Sequence, residues 1–520
     1  MRMPTISRLF VASMVGLGAI AFGFACDDTA PPPADLSPPP PDQAPVLMPS
    51  ITAIAPQSGP TQGGTDVTIT GVNFQQGATV KLGSLSASSP VVSADGKTIT
   101  FKTPANLGKP GPVDVVVTNP DNNTASRTGG FTYAIDVTFA VGATQPFIAN
   151  RGPRHVVAAD LDVDGNLDLV VAYANNATVM SAKGTSVPGT ITFGTTSSRG
   201  VNTYPFMVAV ADMNADNKPD VLTVCQNSTA IGSLVSLLGN GTITVTAYTS
   251  NTTNVGTTGQ RPQWAQIIDV SGDGKPDVLV NLNNTGNLNV AQLINTWTAT
   301  AVSYSYSSTA NLNSGTGSHA MAQGDFDKDG KSDLVVLDNT TGNNVKPYRN
   351  LGSANAPFMS AWAVAANSAG TAMNGVSGDF DKDGNLDLMV LNNQDAGAVT
   401  FLKGNGQGGF TPATVSNRFA VGTRPEHLVT ADLDGDGVLD LVVANYGTSV
   451  ATSNVSWLIG NGDGTFKTLK NMTAPNARFN SVAVADFDKD GLLDIVATDY
   501  RAAGTGGTEC NVVVFKGTGQ

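Results

Sequence analysis

The stretch His155-Val-Val-Ala-Ala-Asp160-Leu-Asp162-Val-Asp164-Gly-Asn166-Leu-Asp168-Leu-Val-Val171 decides how this chain of 520 residues is read. Its middle is a nine-residue loop, Asp-x-Asp-x-Asp-Gly-x-x-Asp. An alternating apolar run enters the loop and a β-branched run leaves it, which is the pattern of two strands joined by a turn. The same loop begins again at Asp212, Asp269, Asp325, Asp379, Asp432 and Asp486. Six steps averaging about 54 residues mark a repeat architecture. Further apolar runs, such as Val455-Ser-Trp-Leu-Ile459 and Asn511-Val-Val-Val-Phe515, follow in several repeats, usually before a Gly-rich turn like Gly460-Asn-Gly-Asp-Gly464. Each unit therefore has room for about four strands, which suits a propeller blade. The predicted fold class is all-β, with a seven-bladed β-propeller over residues 135–520.

The loop chemistry follows from its spacing. Carboxylates at positions 1, 3 and 5 alternate along the chain, and Gly at position 6 lets the backbone turn through positive φ, so hard oxygen ligands converge on one point. Ca²⁺ is the cation that best suits so many carboxylates. An EF-hand needs Glu at position 12 and a following helix, but position 12 holds Val171, Thr223, Val280, Val336, Val390, Val443 or Ala497. The EF-hand is excluded, and Asp at position 9 closes the site instead.

These loops resemble the FG-GAP/VCBS repeats of bacterial surface proteins and of the integrin α-subunit propeller. The resemblance implies calcium held by side chains at positions 1, 3, 5 and 9 and by the backbone carbonyl at position 7. In the first loop these are Asp160, Asp162, Asp164 and Asp168 with Asn166. The second loop offers Asp212, Asn214, Asp216 and Asp220 with Lys218, and the third Asp269, Ser271, Asp273 and Asp277 with Lys275. The fourth supplies Asp325, Asp327, Asp329 and Asp333 with Lys331; the fifth, Asp379, Asp381, Asp383 and Asp387 with Asn385. In the sixth they are Asp432, Asp434, Asp436 and Asp440 with Val438, and in the seventh Asp486, Asp488, Asp490 and Asp494 with Leu492. Up to seven Ca²⁺ ions are thus expected. Loop two has lost a charge at Asn214 and carries Asn217 where Gly belongs, and loop three has Ser271 at position 3, so both are expected to bind more weakly.

Composition agrees with an extracellular β protein. Only 13% of residues are charged, against about 25% in an average soluble domain. The formal net charge is −13, and removing a leader that carries Arg2 and Arg8 makes it −15. Nucleic acid is therefore not an expected partner. Arg2 and Arg8 precede an apolar run from Leu9 to Ala25 that suits a secretion leader. Gly23-Phe24-Ala25-Cys26 resembles a bacterial lipobox, with Gly23 where Leu is usual, so residues 1–25 read as a lipoprotein signal and Cys26 as the lipidated residue. The membrane is then met through this lipid anchor only. Asp27 resembles an inner-membrane retention signal of some bacteria, although the outer membrane or cell surface is the preferred address. Residues 26–49 form a Pro-rich spacer, with Pro31-Pro-Pro33 and Pro38-Pro-Pro-Pro41 favouring stiff polyproline II. Cys225 and Cys510 fall in the second and seventh repeats and are expected on buried strands, unpaired.

Residues 50–134 form a separate unit. Ser58-Gly59-Pro60, Gly63-Gly64-Thr65, Val67-Thr-Ile-Thr70, Gly71-Val-Asn73-Phe74, Gly111-Pro-Val-Asp-Val-Val-Val117 and Phe131-Thr-Tyr133 read as short strands punctuated by turns, a β-sandwich signature. The whole stretch resembles an IPT/TIG immunoglobulin-like domain, which implies a spacer or adhesive role.

No catalytic constellation emerges: three histidines, no Gly-x-Ser-x-Gly elbow, no His-Glu-x-x-His and no phosphate loop. The expected function is non-enzymatic, a calcium-binding envelope lipoprotein that binds an extracellular glycan or protein ligand. A polysaccharide lyase or hydrolase on the same scaffold and a structural subunit of an envelope complex are the alternatives. By resemblance to other propellers, residues five or six places before each loop begin the innermost strand and surround the axis: His155, Met207, Trp264, His319, Asn374, His427 and Ser481. Arg154, Arg261, Arg424 and Arg478 lie close by in sequence. Arg154, His155, Trp264, His319, Arg424 and His427 are the candidate ligand residues, forming a positive funnel with Trp264 placed to stack on a sugar. The alternative is that the arginines pair with neighbouring acids and the histidines cap strands.

Overall fold

Every loop sits where the sequence pattern puts it, between two antiparallel strands in fixed register. Ala159 pairs with Asp168, Ala211 with Asp220, Ile268 with Asp277, Gly324 with Asp333, Gly378 with Asp387, Ala431 with Asp440 and Ala485 with Asp494. The residue before each loop thus faces its ninth residue. The computed structural model describes residues 47–107, 109–142, 152–227, 231–283, 289–297, 303–307, 312, 318–338, 345–353, 371–394, 396–412, 414–500 and 512–519. The leader, Cys26, the spacer up to residue 46 and Cys510 lie outside these residues.

Seven sheets are built on the seven hairpins, each with four described strands except the fourth, which has three. The innermost strands are Pro153–Ala159, Pro205–Ala211, Arg261–Ile268, Ser318–Gly324, Ala372–Gly378, Pro425–Ala431 and Phe479–Ala485. Each touches the next in order, and the last touches the first, so the sheets close a ring. The strands that leave the loops, such as Asp168–Tyr173 and Asp440–Asn445, are buried along their whole length. Their β-branched character follows: such residues fill a pleated surface covered on both faces. Position 2 of each loop supplies the apolar plug near the loop end of the blade, with Leu161, Met213, Val270, Phe326, Phe380, Leu433 and Phe487 all buried.

The ring closes with chain from both ends. Phe139–Val141 pairs antiparallel with Val512–Gly517 as the outer strand of the seventh sheet, in the register Phe139 to Gly517 and Val141 to Phe515. A strand at Asp136–Ala140 is what the orphan apolar run before the first loop leads one to expect; the observed strand starts three residues later because Val137 turns inward to the core instead. Phe139 packs edge-on against Trp457 with ring centroids 5.1 Å apart.

Ahead of the ring, residues from Ser50 to Ala134 form two sheets. One orders Ser50–Ala55, Asp66–Val72, Thr98–Lys102 and Ser88–Val92, and the other orders Ser58–Pro60, Thr124–Ala134, Gly111–Thr118, Thr79–Leu82 and Leu85–Ser86. Ile69, Ile99, Val115, Val117, Phe131 and Tyr133 fill the space between them. The Tyr133 hydroxyl donates to the Pro104 carbonyl at 2.8 Å, which satisfies the one polar atom that this core buries with the ring. The sandwich rests on loop six: the Ile135 N–H bonds the Asp434 carbonyl at 2.9 Å, and a side chain at Gly435 would collide with Pro110. Among the described residues the helices are three 3₁₀ segments of three residues each, and none is long and apolar enough to cross a membrane.

Closure by Phe139–Val141 carries a testable consequence. Deleting residues 135–141 is expected to lower the denaturant midpoint of the ring, because it strips one strand from the seventh sheet and uncovers Trp457. An unchanged midpoint would show that this strand adds nothing to closure.

Candidate functional site

The loops are tied together by their own carboxylates. The Asp160 carboxylate accepts the N–H groups of Asp164 and Gly165 at 3.0 and 2.8 Å, and Asp164 accepts that of Asn166 at 2.8 Å. The same bonds recur in loop five, from Asp383 and Gly384 to Asp379 and from Asn385 to Asp383. Position 6 is left-handed throughout, including Asn217 at φ 62°. Position 4 is left-handed as well, and there the side chains are Val163, Ala215, Lys328, Lys382 and Lys489 beside two glycines. Sequence reasoning missed this second turn point, since none of those five residues is a turn former; Val163, a β-branched residue at φ 57°, stores strain there.

Position 9 does more than close a site. Asp168 is fully buried; one oxygen accepts the Leu161 N–H and the other the Gly184 N–H, both at 2.8 Å. Its counterpart Asp440 is bonded in the same way by Leu433 and Gly460, both at 2.7 Å. Burial pushes the carboxyls of Asp168, Asp220, Asp333, Asp387 and Asp494 up to about 6 and that of Asp440 to about 8, against backbone hydrogen bonds that pull them down and neighbouring aspartates that push them further up. Such desolvated, mutually repelling carboxylates are stabilised by a cation.

In five loops three carboxylate oxygens converge within 4.8 Å of one another: those of Asp160, Asp162 and Asp164; of Asp325, Asp327 and Asp333; of Asp379, Asp381 and Asp387; of Asp432, Asp434 and Asp440; and of Asp486, Asp488 and Asp494. Loops two and three, the pair with Asn214 and Ser271, do not gather such a group among the described residues. Oδ1 of Asp162, Asp432 and Asp488 is buried with no hydrogen-bond partner. Orphaned, hard, anionic oxygens of this kind fit a divalent cation.

The opposite end of the ring is shaped by bulges. Each innermost strand carries a register shift near its start, at Pro153/His155, Pro205/Met207, Pro262/Trp264, Ser318/Ala320, Ala372/Asn374, Pro425/His427 and Phe479/Ser481. The residue after the shift lies at the axis, and the bulged residue before it faces the cavity beyond. His319 is therefore not an axis residue: it occupies the bulge, equivalent to Arg154 and Glu426, and Ala320 takes the axis place. His155, Trp264 and His427 do meet, with ring centroids 5.0 to 5.8 Å apart. They form a floor, not an open tunnel.

The axis residues also stitch neighbouring blades together. His155 Nδ1 accepts the Val208 N–H at 3.5 Å, Met207 Sδ that of Ala265 at 3.0 Å, His427 Nδ1 that of Val482 at 3.2 Å and Ser481 Oγ that of Val156 at 3.3 Å. Burial holds both imidazoles neutral, with His427 lowered to about 4 and His155 well below its usual value. The expected positive funnel loses its histidines for this reason, and Trp264, wedged edge-on against His155, is no stacking platform. Arginines supply the charge instead.

Above this floor lies a cavity of about 270 Å³, lined by the bulge residues Arg154, Phe206, Gln263, Met373, Glu426 and Asn480 together with Asn393 and Arg424. A wider groove of about 810 Å³ between the first two blades shares Arg154 and Phe206 and adds Tyr204 and Arg261. The Arg154 guanidinium sits over the Phe206 ring at 4.4 Å, and Arg478 leaves the cavity to stack on Tyr446 at 3.6 Å. Three buried polar atoms, His155 Nε2, Trp264 Nε1 and Gln263 Oε1, have no partner. The carboxyl of Glu426 is raised by burial, with Arg154 and Arg424 pulling the other way. Arg424 and Tyr204 are left-handed at φ 49° and 56°, each immediately before a proline.

The neutral histidines set a pH response. The unfolded chain protonates His427 near 6.5, whereas the folded ring resists until about 4. Its contribution to stability is full above 6.5 and is lost as pH falls toward 4, by about 3 kcal/mol. His427→Gln keeps an acceptor for Val482 and is expected to remove that part of the acid sensitivity, measured as the difference between the two proteins' midpoints at pH 7 and pH 4.5 in saturating calcium. Parallel pH dependence would show that the imidazole is not the group responsible.

Comparison with known proteins agrees with this geometry. Residues 49–133 match the IPT/TIG domain, and residues 160–223, 269–336, 325–390, 379–443 and 440–497 match the FG-GAP-like repeat, so that every one of the seven loops lies in a matched stretch. Protein MGA2 of Saccharomyces cerevisiae (strain ATCC 204508 / S288c) is 37% identical over 76 residues, and the match spans 15% of this chain and 7% of that protein. Among solved structures, an auxiliary nutrient binding protein from Bacteroides ovatus ATCC 8483 is similar at 11% identity and a TM-score of 0.33, covering 91% of this chain and 99% of its own. The exotype rhamnogalacturonan lyase YesX is similar at 11% identity and a TM-score of 0.42, covering 88% of each chain. With FG-GAP-like repeats matched over more than half of its length and an IPT/TIG domain before them, the chain belongs to the FG-GAP-like repeat proteins.

Proposed function

We propose that this protein is an exported, calcium-stabilised binding module, held at the bacterial envelope by a lipid on Cys26, whose ring takes an extracellular glycan or protein segment at the cavity over its axis. The observation that carries the binding role is the trio of partnerless buried atoms, His155 Nε2, Trp264 Nε1 and Gln263 Oε1, in a cavity flanked by Arg154 and Arg424. Buried donors and acceptors without partners cost free energy unless something binds them. A volume of about 270 Å³ suits a single sugar ring or a carboxylate-bearing end group, with the groove beside Arg261 receiving the rest of the ligand. Calcium at the far end, in up to seven loops, would neutralise the carboxylates and fix the hairpins that position this cavity.

One feature favours the enzymatic alternative. Glu426, with its raised carboxyl in the cavity, is placed to act as a general acid. No second carboxylate is among the described residues that line the cavity, and glycoside cleavage ordinarily uses two.

Two measurements test the proposal. Calorimetry of the protein without its leader, in EDTA and then in calcium, is expected to show a large upward shift of the ring transition and little change in the sandwich; one site at 100 times its Kd adds about 2.7 kcal/mol. Equal ring transitions would remove calcium from the account. A glycan and peptide screen of the calcium-loaded protein should yield a ligand whose affinity falls about tenfold or more in Arg154→Gln or Arg424→Gln, the usual cost of losing a charged hydrogen bond. Undiminished binding by both variants would move the site elsewhere. Release of product from a polysaccharide, abolished by Glu426→Gln, would replace the binding module with an enzyme.

A further inference from the structure

Seven copies of one loop serve as an internal alignment, and one correlation in it concerns residues outside the loop. Wherever position 3 is Asp, a base from the third-strand region meets it. Lys183 bonds Asp162 and reaches Asp164 at 2.7 Å; Lys403 bonds Asp381 and lies 2.8 Å from Asp383; Lys516 bonds Asp488 and reaches Asp490 at 2.6 Å. Arg349 spans Asp327 and Asp329 at 2.7 and 3.0 Å. These four bases occupy one structural position, immediately before the residue whose N–H bonds the position 9 aspartate. Loop six has Ile459 there, and Lys467, whose N–H bonds the Ile459 carbonyl, reaches Asp434 at 3.5 Å in its stead. The two loops without Asp at position 3 have Leu238 and Ile294 at that place.

The contact is to one side of the carboxylate. Lys183 and Lys516 take Oδ2 of Asp162 and Asp488, while Oδ1 of each stays buried and partnerless in a loop whose carboxylates converge. The Asp488 side chain is 0% exposed, so its free oxygen is shut off from bulk solvent. Loops two and three hold three acids each instead of four, and their lysines, Lys218 at 3.8 Å from Asp216 and Lys275 at 3.3 Å from Asp273, meet position 5 and not position 3.

We propose that the position 3 aspartate and its base form one unit that prepares the calcium sites. The base is a positioning residue: it holds the outer oxygen, aims the inner oxygen at the cation and sets the cradle's charge. The chain then has two classes of site, five with this charged pair and two with a neutral group in its place. This inference rests on the reading of the loops as calcium sites.

Changing Lys183, Lys403 and Lys516 together to Met moves three sites as one class. Calcium titration by calorimetry is expected to show a three-site class weakened about 10- to 100-fold, as for other outer partners of metal ligands, and the EDTA-treated variant should unfold at lower temperature. Arginine at all three positions, following Arg349, should restore both. Adding Asp162→Asn, Asp381→Asn and Asp488→Asn to the Met variant, which copies the second loop, should recover the midpoint in EDTA. Calcium affinity unchanged or tightened in the Met variant overturns the inference, since a base that merely competes with the ion would release affinity when removed. No calcium uptake by the unaltered protein would instead remove the calcium reading, and this inference with it.

Discussion

The buried aspartate at position 9 is the contact on which the rest of this structure depends. Its two oxygens bind one N–H from the second residue of the loop and one from the end of the third strand, as Asp168 does with Leu161 and Gly184 and Asp494 with Phe487 and Gly517. A single side chain thereby fixes the hairpin turn, seats the apolar residue at position 2 in the core, and sets where the third strand ends. The close approach has a steric cost: a Cβ at Gly184 would stand 2.2 Å from the Leu167 carbonyl oxygen. Asn295 and Asn350 fill the same place in the third and fourth blades by bonding that carbonyl's equivalents, at Pro276 and Ser332, with their side chains. Buried charges are a poor source of stability unless compensated, and a cation in the cradle would relieve that cost.

At the axis the same economy appears with neutral groups. Inner strands of neighbouring blades do not share a sheet, so their facing N–H groups need acceptors from side chains. His155, Met207, His427 and Ser481 provide them, each to the blade that follows. Burial in this layer keeps both imidazoles uncharged. The residues at the bulges, Arg154 and Glu426 among them, line the cavity over the axis, so that one backbone irregularity repeated round the ring separates a cohesive layer from a cavity lining.

The resident bases give the acid-rich end a comparable division of labour. A carboxylate has two faces: at Asp162 and Asp488 one oxygen is committed to a lysine and the other has no partner, while at Asp327, Asp381 and Asp434 the second oxygen accepts the N–H of position 5. Loops two and three lack the position 3 acid, and no base occupies the place beside it. The sandwich module leans on loop six, where burial raises the carboxyl of Asp440 to about 8.

By itself the sequence determined the period, the hairpin at each loop, the β class, the sandwich ahead of the ring, and the choice of Asp and Gly positions able to face a cation, because these are local: alternation, turn residues and spacing act within a dozen residues. It also marked the run before the first loop as a strand lacking a partner. Tertiary structure alone decided the rest. A bulge shifts register by one, so His319 and Ala320 could not be assigned between cavity and axis by counting back from Asp325. The protonation of His155 and His427 depended on burial by neighbouring blades about 54 residues away, and Trp264 packs against those two rings. Lys183 and Asp162 are 21 residues apart, and only the return of the third strand brings the ammonium to the carboxylate's outer oxygen. Charge and hydrogen-bond state are properties of what surrounds a group, and in a ring each group is surrounded by other repeats.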